Sequence, residues 1–390
     1  MRRMGASWQA MLPTDPLPWL LASGEPAARW VALTGLLDRS ADDAEVRAAQ
    51  AAVLADGDTR ELLDRLPDWE RPQQISGHDS PAFAPNLLHL LADMGVGPDD
   101  DRRVGRLLDQ MLAHSDVDGR FATLSAPRGK GEARWGVLLC DTHAIADVLV
   151  RFGRGADARL RRALACMRED MRDTAQGYAW PCRPDAVTGF RGPGRKGDFC
   201  PLVTLWALRV YSHLPEGERP PEVLGAARVA LRAWRARGAE KPYMFGHGKQ
   251  FKTVKWPPTW YGAYLVLDVL GRYPALWCAP GVSPDDRRER GAPPDDRRAL
   301  AEVAACLIAY NVSPDGTVTP RSIRKGFESF SFGQKKLPSA WATARLAVVQ
   351  RRFEDLADEI AAVDVTSLAS SKGGNGTAVP PAVSAKTPGP

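Results

Sequence analysis

The chain of 390 residues is poor in several things, and each shortage excludes a class. It has no long apolar run. The opening MRRMGASWQAMLPTDPLPWLL is broken by proline and aspartate, which argues against a signal peptide or a membrane span. The cysteines, six in number, lack the spacing of a small disulfide framework, so a cytoplasmic protein with reduced thiols is the expectation. Charge of one sign is scarce too. The formal net charge is only +5, and arginines are interleaved with acids in RELLDR, DDDRRVGR and DARLRRAL. A nucleic-acid partner, which needs a basic patch on one face, is therefore not expected. The Gly/Lys loops fit no Walker spacing, which removes the P-loop nucleotide binders. Strand-like alternation is weak throughout, leaving an all-α chain. Tryptophan, in contrast, is plentiful at 12 residues, suited either to a core or to the lining of an apolar cavity.

What fills the chain is a repeat. From Pro81 onward a strongly apolar helix alternates with an amphipathic, arginine-rich one. The first kind reads PAFAPNLLHLLADMGV, LLCDTHAIADVLVRFG, DFCPLVTLWALRVY, PPTWYGAYLVLDVLG and PSAWATARLAVVQRRF; the second reads DRRVGRLLDQMLAHS, ADARLRRALACMREDM, PEVLGAARVALRAWRARG and DDRRALAEVAACLIAYN. A turn with glycine follows the second kind, as at Asp118-Gly119, Gly177-Tyr178 and Asp315-Gly316. Helices apolar around most of their circumference bury both sides, whereas a single apolar stripe belongs to an outer layer. Stacked pairs of this sort make inner and outer rings of helices, complete or incomplete.

Residues 1–75 read as a helical cap with three short helices, over Glu25–Asp38, Asp42–Leu54 and Thr59–Leu66, followed by the polar linker ERPQQISGHDSP. The repeat domain spans 81–355. Pro284–Arg298, with PDDRR twice, reads as a charged loop between helices, and 366–390 has the Gly/Ser/Pro/Ala composition of a disordered tail.

The helix pairs, the Asp118-Gly119 and Asp315-Gly316 turns, Gly177 through Cys182, the Phe245-Gly246-His247 turn, Trp256-Pro257-Pro258-Thr259-Trp260-Tyr261 and Pro338-Ser339-Ala340-Trp341 resemble the α/α toroid of terpenoid cyclases and protein prenyltransferases. More closely, the chain resembles bacterial prenyltransferase or squalene-cyclase-like repeat proteins, over about Pro81 to Phe353. The resemblance implies an apolar ligand, an isoprenoid or a diphosphate ester among the candidates, held in an aromatic central cavity. It implies a transferase or cyclase if the protein is an enzyme. The Asp-x-Asp-Asp motif that protonates squalene-type substrates does not stand on an inner helix here, and Asp99-Asp100-Asp101 reads instead as a charge cluster at a helix N-terminus. The class I Mg²⁺ motifs are missing as well. The alternative is a non-catalytic helical-repeat module binding a peptide or protein partner on its concave face.

In such a toroid the starts of inner helices meet at one mouth, which places Cys140, Asp141 and His143 near Cys182, Asp198 and Cys200. Protein prenyltransferases are similar in pairing an Asp-x-Cys element with a histidine at zinc, and Asp198-Phe199-Cys200 matches that element. Zinc is thus the candidate cofactor, with Cys200, Asp198, His143, Cys140 and Cys182 as ligands and Asp198, His143 and Asp141 as acid/base groups. Packed thiols are the competing reading, because buried cysteines behave as small hydrophobes. Cys166, Cys278 and Cys306 read as structural. The aromatic residues Trp180, Trp206, Trp256, Trp260 and Tyr261 are candidates for the cavity wall, with core packing as their alternative. His247, Lys252, Lys255 and Arg191 stand in glycine-rich loops at the same mouth, able to meet an anionic head group or simply solvent.

Overall fold

The computed structural model describes residues 8–71, 77–78, 80–125, 132–187, 189–190, 192, 197–242, 245–278 and 294–368. Its helices are α1 (Leu17–Leu21), α2 (Pro26–Val31), α3 (Ala44–Ala55), α4 (Gly57–Asp64), α5 (Ala84–Asp93), α6 (Arg102–Ala113), α7 (Leu139–Arg151), α8 (Ala158–Glu169), α9 (Pro201–Ser212), α10 (Glu222–Arg235), α11 (Lys249–Lys252), α12 (Ala263–Leu270), α13 (Pro294–Asn311), α14 (Ala340–Arg351) and α15 (Ala357–Ala361). The strongly apolar segments are α5, α7, α9, α12 and α14, and they are buried around most of their surface. Each packs on the next in that order, while α6, α8, α10 and α13 lie against them from outside. This is the α/α toroid, an inner ring of helices within an outer one.

Local chemistry sets the helix starts. Asp43, Asp56, Asp101 and Asp157 sit at N-caps of α3, α4, α6 and α8, each accepting a backbone N–H of the first turn. Asp101 closes the Asp99-Asp100-Asp101 run, so that cluster does cap a helix. Inner helices α5 and α9 instead open with proline, which has no N–H to leave unpaired there. The second PDDRR, read from sequence as loop, forms the first turns of α13: its proline and the acidic Asp295 and Asp296 suit a helix start. Pro284–Arg288 and residues 369–390 lie outside the described residues.

Among the described residues strand is confined to short pairings at the turns: β1 (Thr123–Ser125) with β2 (Arg134–Gly136), β3 (Arg172–Thr174) with β4 (Gly177–Ala179), and β5 (Lys255–Trp256) with β6 (Ser322–Ile323). Single bridges Ser115–Phe121 and Val312–Val318 fold the two Asp-Gly turns back in the same manner as β3–β4. Each hairpin returns the chain from an outer helix toward the mouth, where the next inner helix starts.

The ring closes. Helix α2 packs on α14, and Glu25 accepts the Trp341 N–H and the Ser331 hydroxyl. Arg345 of α14 pairs with Asp93 of α5 at 3.0 Å, joining the last inner helix to the first of the repeat. One apolar core runs from Trp8 through every inner helix to Ile360. The Asp315-Gly316 turn also docks the N-terminal segment: Thr14 Oγ1 donates to Pro314 O at 2.9 Å, and a Cβ on Gly316, whose φ is +79°, would meet Thr14 O at 2.1 Å. Gly316→Ala is therefore expected to cost about 1–3 kcal/mol in urea unfolding, since it combines left-handed strain with an overpacked backbone contact. An unchanged midpoint would mean that the N-terminal segment does not rest on this turn. No helix among the described residues is long and apolar enough to cross a membrane.

Candidate metal centre

Cys140 and Asp141 lie in the first turn of α7 and are buried. Above them stands His78, supplied by the polar linker before α5. Asn86 of α5 holds that linker by donating from Nδ2 to Ser80 O at 2.7 Å and to His78 O at 3.3 Å. His78 Nδ1 then lies 3.4 Å from Cys140 Sγ and 3.4 Å from Asp141 Oδ1, and Cys140 Sγ lies 3.8 Å from the same carboxylate oxygen. Thr123 of β1 donates its hydroxyl to Asp141 Oδ2 at 2.7 Å, fixing the carboxylate from behind. His78, Cys140 and Asp141 form the group of potential metal ligands found among the described residues.

Two more thiols adjoin it. Cys200, the N-cap residue of α9, hydrogen-bonds with Cys182 and senses the charge of Cys140. Burial pushes the Cys140 thiol up to about 11, only partly offset by His78, and pushes Cys200 well above the ordinary thiol range. Burial also works against an imidazolium at His78, but the adjacent Cys140 and the hydrogen-bonded Asp141 outweigh it and carry its pKa up to about 11. Histidine, thiol and carboxylate thus share one water-poor site, each in reach of the others.

Aromatic rings surround this cluster. Trp260 stacks on His78 with centroids 6.0 Å apart, Trp206 meets it edge-on at 5.8 Å, and Phe245 lies between Trp260 and Tyr261. Tyr261 hydrogen-bonds His247 at 2.9 Å, and burial together with nearby Cys200 raises its phenol pKa.

Of the ligands suggested by sequence, Cys140, Cys182 and Cys200 come together, whereas His143 and Asp198 are engaged elsewhere. His143 donates from Nδ1 to Val203 O at 3.1 Å and abuts Trp180, with its Nε2 left without a partner in the apolar interior. Burial drops its pKa to about 4. Asp198 accepts from Gln176 Nε2 at 3.0 Å, which ties the β3–β4 turn to the start of α9. Trp180 donates to Met167 O at 2.6 Å between α8 and α9, and Trp256 packs edge-on against Tyr264 and Trp341. Both are filler between the rings. The cationic group does not converge at the mouth: Lys252 is buried, donating to Leu368 O at 2.9 Å and lying over Tyr310, while Lys255 is exposed. Arg191 lies outside the described residues. Sequence reasoning missed His78 because it sits in a stretch read as linker; its place just before an inner helix was the available signal.

At the other ends of the inner helices lies an ionic hub. Asp147 of α7, fully buried, accepts from Arg209 of α9 and from His213 at 3.2 Å, and lies 3.0 Å from Nε2 of His89 in α5. Asp93 pairs with Arg151 at 2.5 Å and with Arg345, and Asp268 of α12 pairs with Arg352 at 2.8 Å and Arg272 at 3.5 Å. Burial opposes ionisation of these carboxylates, but the guanidiniums around them hold all three below the usual range. Between hub and metal centre is a cavity of about 40 Å³, with Trp206 in its wall. The large aromatic hollow implied by the resemblance is not what occupies this part of the axis; the space is small, and Leu90, Trp206, Leu265 and Trp341 share its lining with charged and polar groups.

No protein-family model and no curated protein matches the chain. Among solved structures it is similar to the type II terpene cyclase MstE from Scytonema at 15% identity, over 85% of this chain and 88% of that one, with a TM-score of 0.40. It is also similar to an unsaturated glucuronyl hydrolase from Bacillus sp. GL1 at 16% identity, over 84% of each chain, with a TM-score of 0.43. A protein from Actinoplanes is similar at 17% identity, over 85% of this chain and 90% of that one, with a TM-score of 0.39. Likenesses of this strength transfer no residue role and no activity, and the ring architecture rests on the chain's own helix packing.

Proposed function

We propose that this protein binds zinc through His78 Nδ1, Cys140 Sγ and Asp141 Oδ1, and receives an apolar, isoprenoid-type ligand against the aromatic wall beside it. One observation carries the reading. A tetrahedral zinc with bonds of about 2.0–2.3 Å separates its ligand atoms by about 3.3–3.8 Å. The three atoms are 3.4, 3.4 and 3.8 Å apart. Histidine, thiolate and carboxylate are all zinc donors, and three protein ligands leave a fourth position for water or a substrate atom, as catalytic sites do. The Cys182–Cys200 pair stands alongside to take that position when no ligand does. When bound, zinc there supplies Lewis acidity and lowers the pKa of a coordinated thiol or water.

The chain's own residues do the rest. Thr123 orients Asp141, so that only Oδ1 faces the site. Trp206 and Trp260 hold the His78 ring on its edge and face and exclude water from an apolar ligand lying beside it. Metal analysis of the purified chain tests this. About one zinc per chain is expected, lost in both Cys140→Ser and His78→Ala but kept in Cys306→Ser, whose thiol lies on α13. Thr123→Val, which removes only the outer support, should weaken zinc by about 10–100-fold. A chain that takes up no zinc in titration, or that keeps it in both ligand variants, removes the proposal. Native mass spectrometry with a geranylgeranyl-bearing ligand addresses the second half separately: failure to bind it with zinc in place would leave a metal protein without an isoprenoid role.

A further inference from the structure

The axial cavity has a chemistry of its own. Its lining includes Thr259, Tyr264 and Trp341 together with Arg209 and Arg345 and the carboxylates Asp93 and Asp268, both of which are already paired with arginine, and Trp206 stands in its wall toward the His78 cluster. Thr259 Oγ1, Trp341 Nε1 and Arg345 Nε are buried and have no hydrogen-bond partner among the described residues. The last two are donors only, and an unpaired buried donor is costly enough that native proteins seldom keep several together. Tyr264 Oη lies beside the Arg345 guanidinium and adds another hydroxyl. Trp341 is fully buried and Tyr264 nearly so.

The surrounding charges are mixed, with an excess of positive groups. Arg151, Arg209, Arg272, Arg345 and Arg352 are paired with only Asp93, Asp147 and Asp268, so guanidiniums outnumber carboxylates in a water-poor place. Burial first, and then Arg209, lowers the pKa of the neighbouring His89 to about 4, against the pull of Asp147. A volume of about 40 Å³ admits roughly three water-sized groups. That is room enough for a carboxylate group.

We infer that the axial cavity is a carboxylate-binding site, in which Arg345 Nε, Trp341 Nε1, Tyr264 Oη and Thr259 Oγ1 donate to the two oxygens of a monocarboxylate, whether a free small acid or the acid end of a longer apolar chain entering past Trp206. This inference is independent of zinc: it needs neither His78 nor Cys140.

Calorimetric titration of the full chain with acetate and with decanoate, against sodium chloride at equal ionic strength, tests it. Saturable binding of acetate assigns the site to small acids; binding of decanoate at least about tenfold tighter than acetate assigns it to the head of a chain, because each buried CH₂ adds to affinity. Arg345→Lys keeps the charge and removes the Nε donor, and should weaken binding about tenfold or more. Because Arg345 also pairs with Asp93, Thr259→Val and Trp341→Phe are measured beside it as variants outside that ion pair, each with a smaller loss in the same direction. If neither acid binds above the chloride control, or if Thr259→Val and Trp341→Phe bind as the parent does, the cavity holds water only and the inference is overturned.

Discussion

Replacing Asp147 with alanine is expected to remove about 3–5 kcal/mol of folding stability, the cost of leaving buried charges without their partner. The carboxylate is fully buried in α7 and is shared by Arg209, His89 and His213, which come from α9, α5 and the end of α9. Removing it strands the Arg209 guanidinium in the interior and leaves the His213 N–H unpaired. Asp147→Asn keeps the shape and one acceptor, so its loss should fall between alanine and the parent. Alanine at Asp157, an N-cap on the outer surface, is a useful comparison and should cost about 1 kcal/mol. Equilibrium urea unfolding reads all three. A loss at Asp147 no larger than at Asp157 would show that the hub does not hold the inner helices together.

Acid should weaken the fold well above the carboxylate range. His89 and His247 are buried, and each has its pKa pushed down to about 4, by burial first and then by Arg209 and Arg237 respectively. In the unfolded chain they titrate near 6.5. The folded state therefore holds fewer protons below that value, so the contribution is fully present above pH about 6.5 and drains away as pH falls toward about 4. Each histidine accounts for up to about 3 kcal/mol across that window. The depressed carboxylates Asp93, Asp147 and Asp268 act lower, their contribution being lost as pH falls below about 4. Unfolding free energies at pH 7.5, 6 and 5 should decline, while NMR finds the His89 and His247 rings neutral at pH 5. Rings that titrate near 6.5 in the folded protein would contradict the burial argument.

The ring of helix pairs was legible because burial writes itself into periodicity. LLCDTHAIADVLVRFG and PEVLGAARVALRAWRARG differ in how much of the circumference is apolar, and α7 and α10 differ in just that way. The hub is legible in part. Asp93, Asp147, Asp268, Arg209 and Arg345 each stand within or at the end of an otherwise apolar inner run, where a charge needs a buried partner. The candidate metal centre was half legible. Cys140, Cys182 and Cys200 follow from helix starts meeting at one mouth, but which histidine joins them depends on how the linker folds back, and Asn86 decides that through two backbone carbonyls. Periodicity carries no information about such a crossing. The Asp-x-Cys match pointed to Asp198, yet Gln176 engages it in the neighbouring turn.

Arg345 and Asp93 meet although they are 252 positions apart in sequence, and with Glu25 on Trp341 they leave the helix array without a free end. A linear solenoid can be shortened by a unit and survive, since each unit leans only on those beside it. A closed circuit cannot, because deleting any pair opens the circle and exposes two inner faces at once. This protein should consequently melt as one body, and a genetic cut that moved the chain termini to a surface turn would be tolerated where the loss of one helix pair would not.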